Sequence, residues 1–153
     1  MVGMTLQEFM EMQPPNATFK SSPLSHNAFL VSPSEQGSYT IAGSRSEVTW
    51  MFYKEDDSDK APFLFQIMAI VEDNDDSGAK LYTELAAKFQ PREGEPIMKD
   101  GQQIGKKFTW TFLFNRYSLV LQTFPNQNSM LILRRDGLAD EVEKQTNGTD
   151  TDI

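Results

Sequence analysis

Basic and aromatic side chains are interspersed in the stretch from Gly101 to Arg135, which has the residue types for binding chemistry. These 35 residues contain five basic side chains and no Asp or Glu, within a chain of formal net charge -8. The basic residues are Lys106, Lys107, Arg116, Arg134 and Arg135. The aromatic residues are Phe108, Trp110, Phe112, Phe114, Tyr117 and Phe124. Because Lys and Arg neutralise phosphates and aromatic rings stack on bases, the pattern favours a surface for single-stranded DNA or RNA.

The aromatic residues of this stretch also fit a hydrophobic core. The four aromatics from Phe108 to Phe114 share one face of a strand, because side chains alternate. Such a stripe is more often core than binding platform, since aromatic residues dominate cores. Tyr117 and Phe124, near the hairpin ends, are then the better stacking residues, and Trp110 is a further candidate. The two adjacent arginines, 134 and 135, point to opposite faces, so at most one joins a given patch.

The chain lacks the parts of most catalytic sites. It has no cysteine and one histidine, His26, which lies in a loop of Ser, Pro and Asn. Metal ligation by histidine or thiolate, and nucleophilic catalysis by Ser–His or Cys–His pairs, therefore have no candidates. No G-x-x-x-x-G-K-[ST] or G-x-G-x-x-G phosphate loop occurs. We expect a protein that is not an enzyme and needs no cofactor.

An acidic turn has the spacing of a calcium loop. Asp73, Asp75, Ser77 and Glu84 would supply oxygen ligands in an EF-hand-like register. Lys80 occupies the eighth position, where an apolar residue normally pairs with a second loop, and no second loop exists. Acidic residues are also favoured before a helix for its dipole alone. We therefore interpret the turn as a helix start and predict no metal.

The C-terminal residues are acidic. Residues 136–153 carry six acidic side chains and one Lys, and end in Asp150, Asp152 and Ile153. Such a tail can simply aid solubility, or it can occupy a basic groove of its own chain and recruit a partner protein when displaced. Basic-aromatic strands followed by an acidic tail resemble the layout of bacterial and phage single-stranded DNA-binding proteins.

Hydrophobic spacing predicts a mostly β fold. We expect strands at 28–31, 39–42, 47–54, 63–71, 107–115, 118–124 and 130–134. The main helix is expected at about 77–90, with short terminal helices at 6–12 and 138–144, and a loop at 92–105. The class is α+β: a mostly antiparallel sheet or an OB-like barrel of about six to seven strands, or a doubled arrangement of four strands and a helix. We expect residues 1–135 to form one globular domain, followed by a partly flexible tail.

A short sequence pattern that occurs twice is consistent with the doubled arrangement of four strands and a helix. Residues 48–52 and 108–112 share the pattern x-Thr-Trp-x-Phe. A repeat would explain it, and so would chance, because both segments are good strands.

A protein partner is the alternative to nucleic acid. Acidic clusters at 55–59 and 72–76 and eight methionines suit an adaptor, chaperone or inhibitor, possibly viral, that binds a basic or nucleic-acid-binding partner. The acidic chain does not favour anionic membranes. The absence of cysteines and of a signal-peptide pattern leads us to expect a cytoplasmic protein, in the host cytoplasm if the protein is viral.

Overall fold

The structure is a computed structural model that describes residues 3–14, 16–35, 39–41, 43–55, 61–72, 78–112, 116–137 and 142. It contains two α-helices and nine β-strands within those residues. In chain order they are α1 (Leu6–Glu11), β1 (Phe19–Pro23), β2 (Ala28–Pro33), β3 (Tyr39–Ile41), β4 (Ser44–Tyr53), β5 (Phe63–Val71), α2 (Ala79–Lys88), β6 (Glu95–Lys99), β7 (Gln102–Phe112), β8 (Tyr117–Thr123) and β9 (Ser129–Arg135).

The strands form one sheet with the hydrogen-bonded order β1-β2-β4-β5-β9-β8-β7-β6, and β3 pairs with β4. The pairs β1–β2, β2–β4, β3–β4, β6–β7 and β7–β8 are antiparallel. The α+β class and the mostly antiparallel sheet are thus confirmed. The strand number exceeds the expected six to seven, and closure into a barrel is not shown by these pairings.

Contacts along the chain define two compact units that interleave in sequence. Unit 1 comprises residues 1–35, 49–67 and 134–153, and unit 2 comprises residues 36–48 and 68–133. The single domain expected over residues 1–135 stays a prediction.

Phe9 anchors α1 in the core of unit 1. Its side chain is buried, and its ring centroid lies 4.9 Å from that of Trp50 and 5.5 Å from that of Phe52. The helix starts with a capping box: the Glu8 amide donates to Thr5 Oγ1 at 3.1 Å, and the Thr5 amide donates to Glu8 Oε1 at 3.3 Å. These two bonds satisfy amides that the first helical turn leaves unpaired.

A second cluster of unit 1 includes a residue of the acidic C-terminal stretch. Val142 is 3% exposed and is buried with Ala28 and Phe65. The half-buried side chains packed against this cluster are Leu24, Met51, Tyr53 and Phe63. The rest of the predicted helical turn at 138–144 lies outside the described residues. At least one side chain of the expected tail therefore belongs to the hydrophobic core.

In unit 2, helix α2 packs on the aromatic face of β7. The Tyr82 and Phe108 ring centroids are 4.4 Å apart, and those of Phe89 and Phe112 are 5.2 Å apart. Leu81 of this helix is buried. Hydrophobic residues at helical spacing predicted this helix at about 77–90, and its position is confirmed within two residues at each end.

The prediction of a loop at 92–105 was wrong, because this segment contains β6 and the start of β7. Asp100 and Gly101 join the two strands and have φ of 52° and 79°. Two positive φ values at a two-residue connection define a type I′ turn, and Asp-Gly is its usual sequence. The strands were missed because only Ile97 of β6 is half-buried, so no apolar alternation marks them. Strand β1 was missed for the same reason, since four of its five side chains are exposed.

No helix within the described part of the chain has both the length and the apolar character needed to cross a membrane.

Gly105 is required by the close approach of β7 to β8. A Cβ at this position would collide with the Thr123 carbonyl oxygen and lie 2.8 Å from the Phe124 ring. We predict that Gly105→Ala lowers the free energy of unfolding by about 3 kcal/mol, because a backbone oxygen cannot move aside. Gly101→Ala is the control: its Cβ meets nothing within 4 Å, so only its positive φ adds strain, about 1 kcal/mol. Urea unfolding measures both, and equal losses would contradict the steric explanation.

Candidate functional site

A cavity of about 760 Å³ opens in unit 2 beside the start of α2. Its lining residues are Gly78, Ala79, Tyr82, Arg92, Gly94, Gln103, Gly105, Lys106, Phe108, Thr123 and Pro125. We call this cavity the β7 groove, because β7 supplies four of these residues. Its volume falls in the range of pockets that hold small organic ligands, roughly 300–1,000 Å³.

The start of α2 forms one wall of the β7 groove. Gly78 has φ of 81° and provides no side chain to cap the helix. A Cβ on Gly78 would lie 2.6 Å from Ser129 Oγ and close to Thr123, so only glycine lets the helix begin this near the sheet. The contact brings the N-terminal turn of α2 to the edge of the cavity.

Arg92 and Gly94 also line the groove, and the segment from Gln90 to Gly94 that carries them is held by hydrogen bonds at two points. The Trp110 indole N–H donates to the Gln90 carbonyl oxygen at 2.8 Å. The Tyr82 hydroxyl donates to the Arg92 carbonyl oxygen at 2.8 Å and accepts from the Arg92 amide at 3.2 Å. Three hydrogen bonds thus fix the backbone that carries the Arg92 side chain. We call this segment the 90–94 strap.

The floor of the β7 groove is the strand face that carries Lys106 and Phe108. Phe108 is half-buried and lies under Tyr82. A Cβ on Gly94 would come within 2.9 Å of the Phe108 ring, so glycine lets the 90–94 strap lie directly on this ring. Lys106 follows on the same face of β7 and is exposed. The floor is therefore aromatic near α2 and cationic farther along the strand.

The described lining of the β7 groove carries charge of one sign. Among the described residues, its lining includes the cations of Arg92 and Lys106 and no carboxylate. Gln103 adds a neutral amide, which donates to the Gly105 carbonyl oxygen at 3.4 Å. Two cations beside an apolar floor suit a ligand that carries both negative charge and a flat ring.

The structure places only one of the predicted basic residues, Lys106, in the lining of this groove. Lys107 points to the other face of β7, where its Nζ lies 3.9 Å from Glu95 Oε2. Arg116 is exposed in the β7–β8 turn with φ of 55°. The strand from Lys106 to Phe112 spans roughly 20 Å, so Arg116 lies at the far end of the hairpin.

The predicted arginines of β9 belong to unit 1. Arg135 is exposed, and its guanidinium carbon lies 5.8 Å from the centroid of the Phe63 ring. Arg134 is half-buried, and its Nε has no hydrogen-bond partner among the described residues. The structure therefore does not gather the five basic residues of 101–135 into the groove.

The predicted stacking residues are also dispersed. Trp110 is 2% exposed and uses its indole N–H for the 90–94 strap, so its ring belongs to the core and is not available to stack on a base. Tyr117 is half-buried and pairs with Phe112 across the hairpin. Phe124 is half-buried with its ring against Gly105.

The remaining predicted sites fall on residues that the structure does not describe. These are Asp150, Asp152 and Ile153 of the tail, and Asp73, Asp75 and Ser77 of the calcium-like turn. Glu84 is described and lies exposed on α2. No group of three or more His, Cys, Asp or Glu that could hold a metal ion occurs in the described ranges.

The sequence did not predict that Arg92, Gln103 and the Tyr82–Phe108 aromatic pair line one groove. Arg92 follows the proline that ends α2, in a stretch rich in Gly and Pro. Those residues indicated a loop, which is where binding residues often lie. What brings Arg92 next to Lys106 is the tertiary path of the 90–94 strap.

Comparison with protein-family models, with curated protein sequences and with solved structures finds no match for this chain.

Tyr82 can be tested as the residue that holds the 90–94 strap. Tyr82→Phe keeps the ring on Phe108 and removes both hydrogen bonds to the Arg92 backbone. We predict faster hydrogen exchange at the Arg92 amide, about fivefold, since one such bond contributes about 1 kcal/mol. Tyr117→Phe removes a hydroxyl from β8, at the far end of the hairpin, and is the control. Unchanged exchange in Tyr82→Phe would show that the bonds do not fix the strap.

Proposed function

We propose that this protein binds single-stranded nucleic acid without catalysing a reaction, and that the β7 groove is its contact site. The observation that carries the proposal is the composition of this groove: Arg92 and Lys106 stand beside the Tyr82–Phe108 aromatic pair, and the described lining has no carboxylate. Phosphates require cations, and bases require flat apolar surface.

Each part of a nucleotide has a counterpart in the β7 groove. Lys106 and Arg92 neutralise phosphates at its rim, where their side chains are exposed. The base packs on the apolar floor, where one aromatic contact contributes roughly 1–3 kcal/mol. Gln103 supplies an amide for hydrogen bonds to base edges, as amide side chains do in nucleic-acid complexes.

A cavity favours an unpaired strand over a duplex. Bases of a duplex are stacked and paired inside the helix, whereas bases of a single strand can be splayed out and enter a pocket. The acidic chain does not prevent such binding, because the local field of the groove attracts phosphate even when the net charge is negative. Repulsion elsewhere restricts binding to this face.

The strand order supports the doubled arrangement over the OB-like barrel. In the sheet, one set of four neighbouring strands precedes α2 in the chain: β1, β2, β4 and β5. The other four neighbouring strands follow α2: β6, β7, β8 and β9. Strand β3 lies off this order and pairs with β4. We propose that two runs of four strands build the sheet.

Removing both groove cations tests the proposed contact. For the variant Arg92→Gln/Lys106→Gln we predict that the dissociation constant for a fluorescent poly-dT oligonucleotide rises about tenfold or more, because charge-assisted bonds to phosphate are lost. The slope of log K against log salt becomes shallower by about 1.4, which corresponds to two phosphate contacts on a single strand. Fluorescence anisotropy over a salt series measures both.

Lys20→Gln is the matched control, because it removes an exposed Lys of β1, in unit 1. It should change affinity less than about twofold. Unchanged affinity and slope in the double variant would exclude the groove. Failure of the full chain to bind at low salt would exclude the function and favour the alternative of an acidic protein-binding adaptor, chaperone or inhibitor.

The acidic C-terminal stretch is proposed to compete with nucleic acid for the groove. Because Val142 is buried with Ala28 and Phe65, deleting residues 136–153 would remove a core side chain. Deleting residues 146–153 keeps Val142 and removes Asp150 and Asp152. We predict tighter poly-dT binding at low ionic strength and a smaller gain at high salt, where charges are screened. Equal or weaker binding at low salt would refute the competition.

A further inference from the structure

Strand β6 ends the strand order and has an unpaired edge. Its only neighbour among the described strands is β7. Four of its five side chains are exposed, and Ile97 is half-buried. Met98 is 56% exposed and Ile104 of the facing strand is 37% exposed, so two apolar side chains lie on the surface of this hairpin. An edge strand presents unpaired backbone N–H and C=O groups, which are a template for pairing with another chain.

The sequence of β6 is complementary to itself in the antiparallel direction. Glu95 and Lys99 lie two residues on either side of Ile97. If two copies of β6 pair about Ile97, Glu95 of each copy lies opposite Lys99 of the other, and Pro96 lies opposite Met98. Directly opposed residues share a face, so both ion pairs form between adjacent side chains. Lys99 makes no ion pair with any residue that the structure describes.

The backbone permits this pairing. Lys99 and Gln102 are paired across the two-residue turn. They therefore hydrogen-bond each other, and the backbone groups of Met98 face away from β7. The register shift between Ile97 and Met98 adds Ile104 to β7 and no residue to β6, so the backbone groups of Pro96 face away from β7 as well. The Met98 amide of each copy can donate to the Pro96 carbonyl of the other. Pro96 lacks a donor on this outer edge, which is where a strand tolerates proline. The contact has two backbone hydrogen bonds and is correspondingly weak.

We propose that the protein forms a symmetric dimer through antiparallel pairing of β6 with β6 of a second copy. Pro96 lies opposite Lys106 in the β6–β7 pair, so Pro96 and Met98 share the face of the β7 groove. The dimer extends the sheet and places both grooves on one face. The two Lys106 strands are then three strand spacings apart, roughly 14 Å.

The dimer rests on β6 alone, whereas its role as a longer binding track rests on the proposed function. In that role, two grooves joined on one face hold adjacent parts of the same single strand. Linked sites raise the apparent affinity for an oligonucleotide long enough to reach both. The dimer also doubles the cations on one face of an otherwise acidic protein.

Charge reversal tests the pairing directly. Sedimentation velocity over a concentration series should show a reversible monomer–dimer equilibrium for the full chain. Glu95→Lys places two Lys opposite each other at both ends of the contact, and Lys99→Glu places two Glu there. Each should raise the dimer dissociation constant about tenfold or more, since two exposed ion pairs become two repulsions.

Mixing the two single variants provides the decisive control. Position 95 of the Glu95→Lys variant then carries a positive charge and faces the negative charge at position 99 of the Lys99→Glu variant. The other end of the contact keeps its original pair of opposite charges, so the mixture should form a heterodimer. The double variant E95K/K99E should recover self-association for the same reason. Lys20→Glu, on the other end strand β1, should leave the equilibrium unchanged. Circular dichroism confirms that each variant is folded.

Three results would overturn the dimer: a monomer at every concentration, a dimer that neither reversal weakens, or a mixture that does not associate. The Arg92→Gln/Lys106→Gln variant separates this inference from the proposed function. It should lose oligonucleotide binding and keep the same sedimentation behaviour. Self-association without nucleic-acid binding would refute the function alone, and binding by a strict monomer would refute the dimer alone.

Discussion

The packing of α2 on the aromatic face of β7 is the contact on which unit 2 depends. It buries Trp110 and sets Tyr82 over Phe108 at 4.4 Å. The indole N–H and the Tyr82 hydroxyl then reach the backbone of the 90–94 strap and fix it beside the strand. The buried Trp110 needs a partner for its indole N–H, and the half-buried Tyr82 uses its hydroxyl in the same way. Their partners are the carbonyl oxygens of Gln90 and Arg92. The contact between α2 and β7 therefore both packs the core of unit 2 and sets the geometry of the β7 groove.

The alternation of β7 divides its chemistry between two faces. The aromatic stripe from Phe108 to Phe112 faces α2, and Lys106 continues that face beyond the helix, whereas Lys107 faces away toward Glu95. A basic stretch in sequence is thus split by the strand period of two. Arg116 is carried to the far end of the hairpin, and the arginines of β9 belong to unit 1. Proximity along a strand does not imply a shared surface.

The echo of residues 48–52 in 108–112 has no topological counterpart. The first copy lies on β4, the third strand of its run of four, and the second lies on β7, the second strand of its run. Both segments have a buried Trp because both are inner strands that need a large apolar side chain. A half-buried strand favours these residue types in both segments, so the internal repeat stays a prediction.

The sequence by itself determined the elements with strong local signals: the capping box at Thr5, the strand from Phe63 to Val71, and α2 with its apolar stripe. Periodicity records which face of an element is buried, so buried elements are readable. Strand β6 could not be predicted, because an exposed edge strand has no buried face that would show as an apolar alternation. Only the tertiary structure decided that Arg92, Lys106 and the Tyr82–Phe108 pair line one groove. These residues lie up to 26 positions apart along the chain, and a single sequence contains no signal for contacts made by the path of the chain.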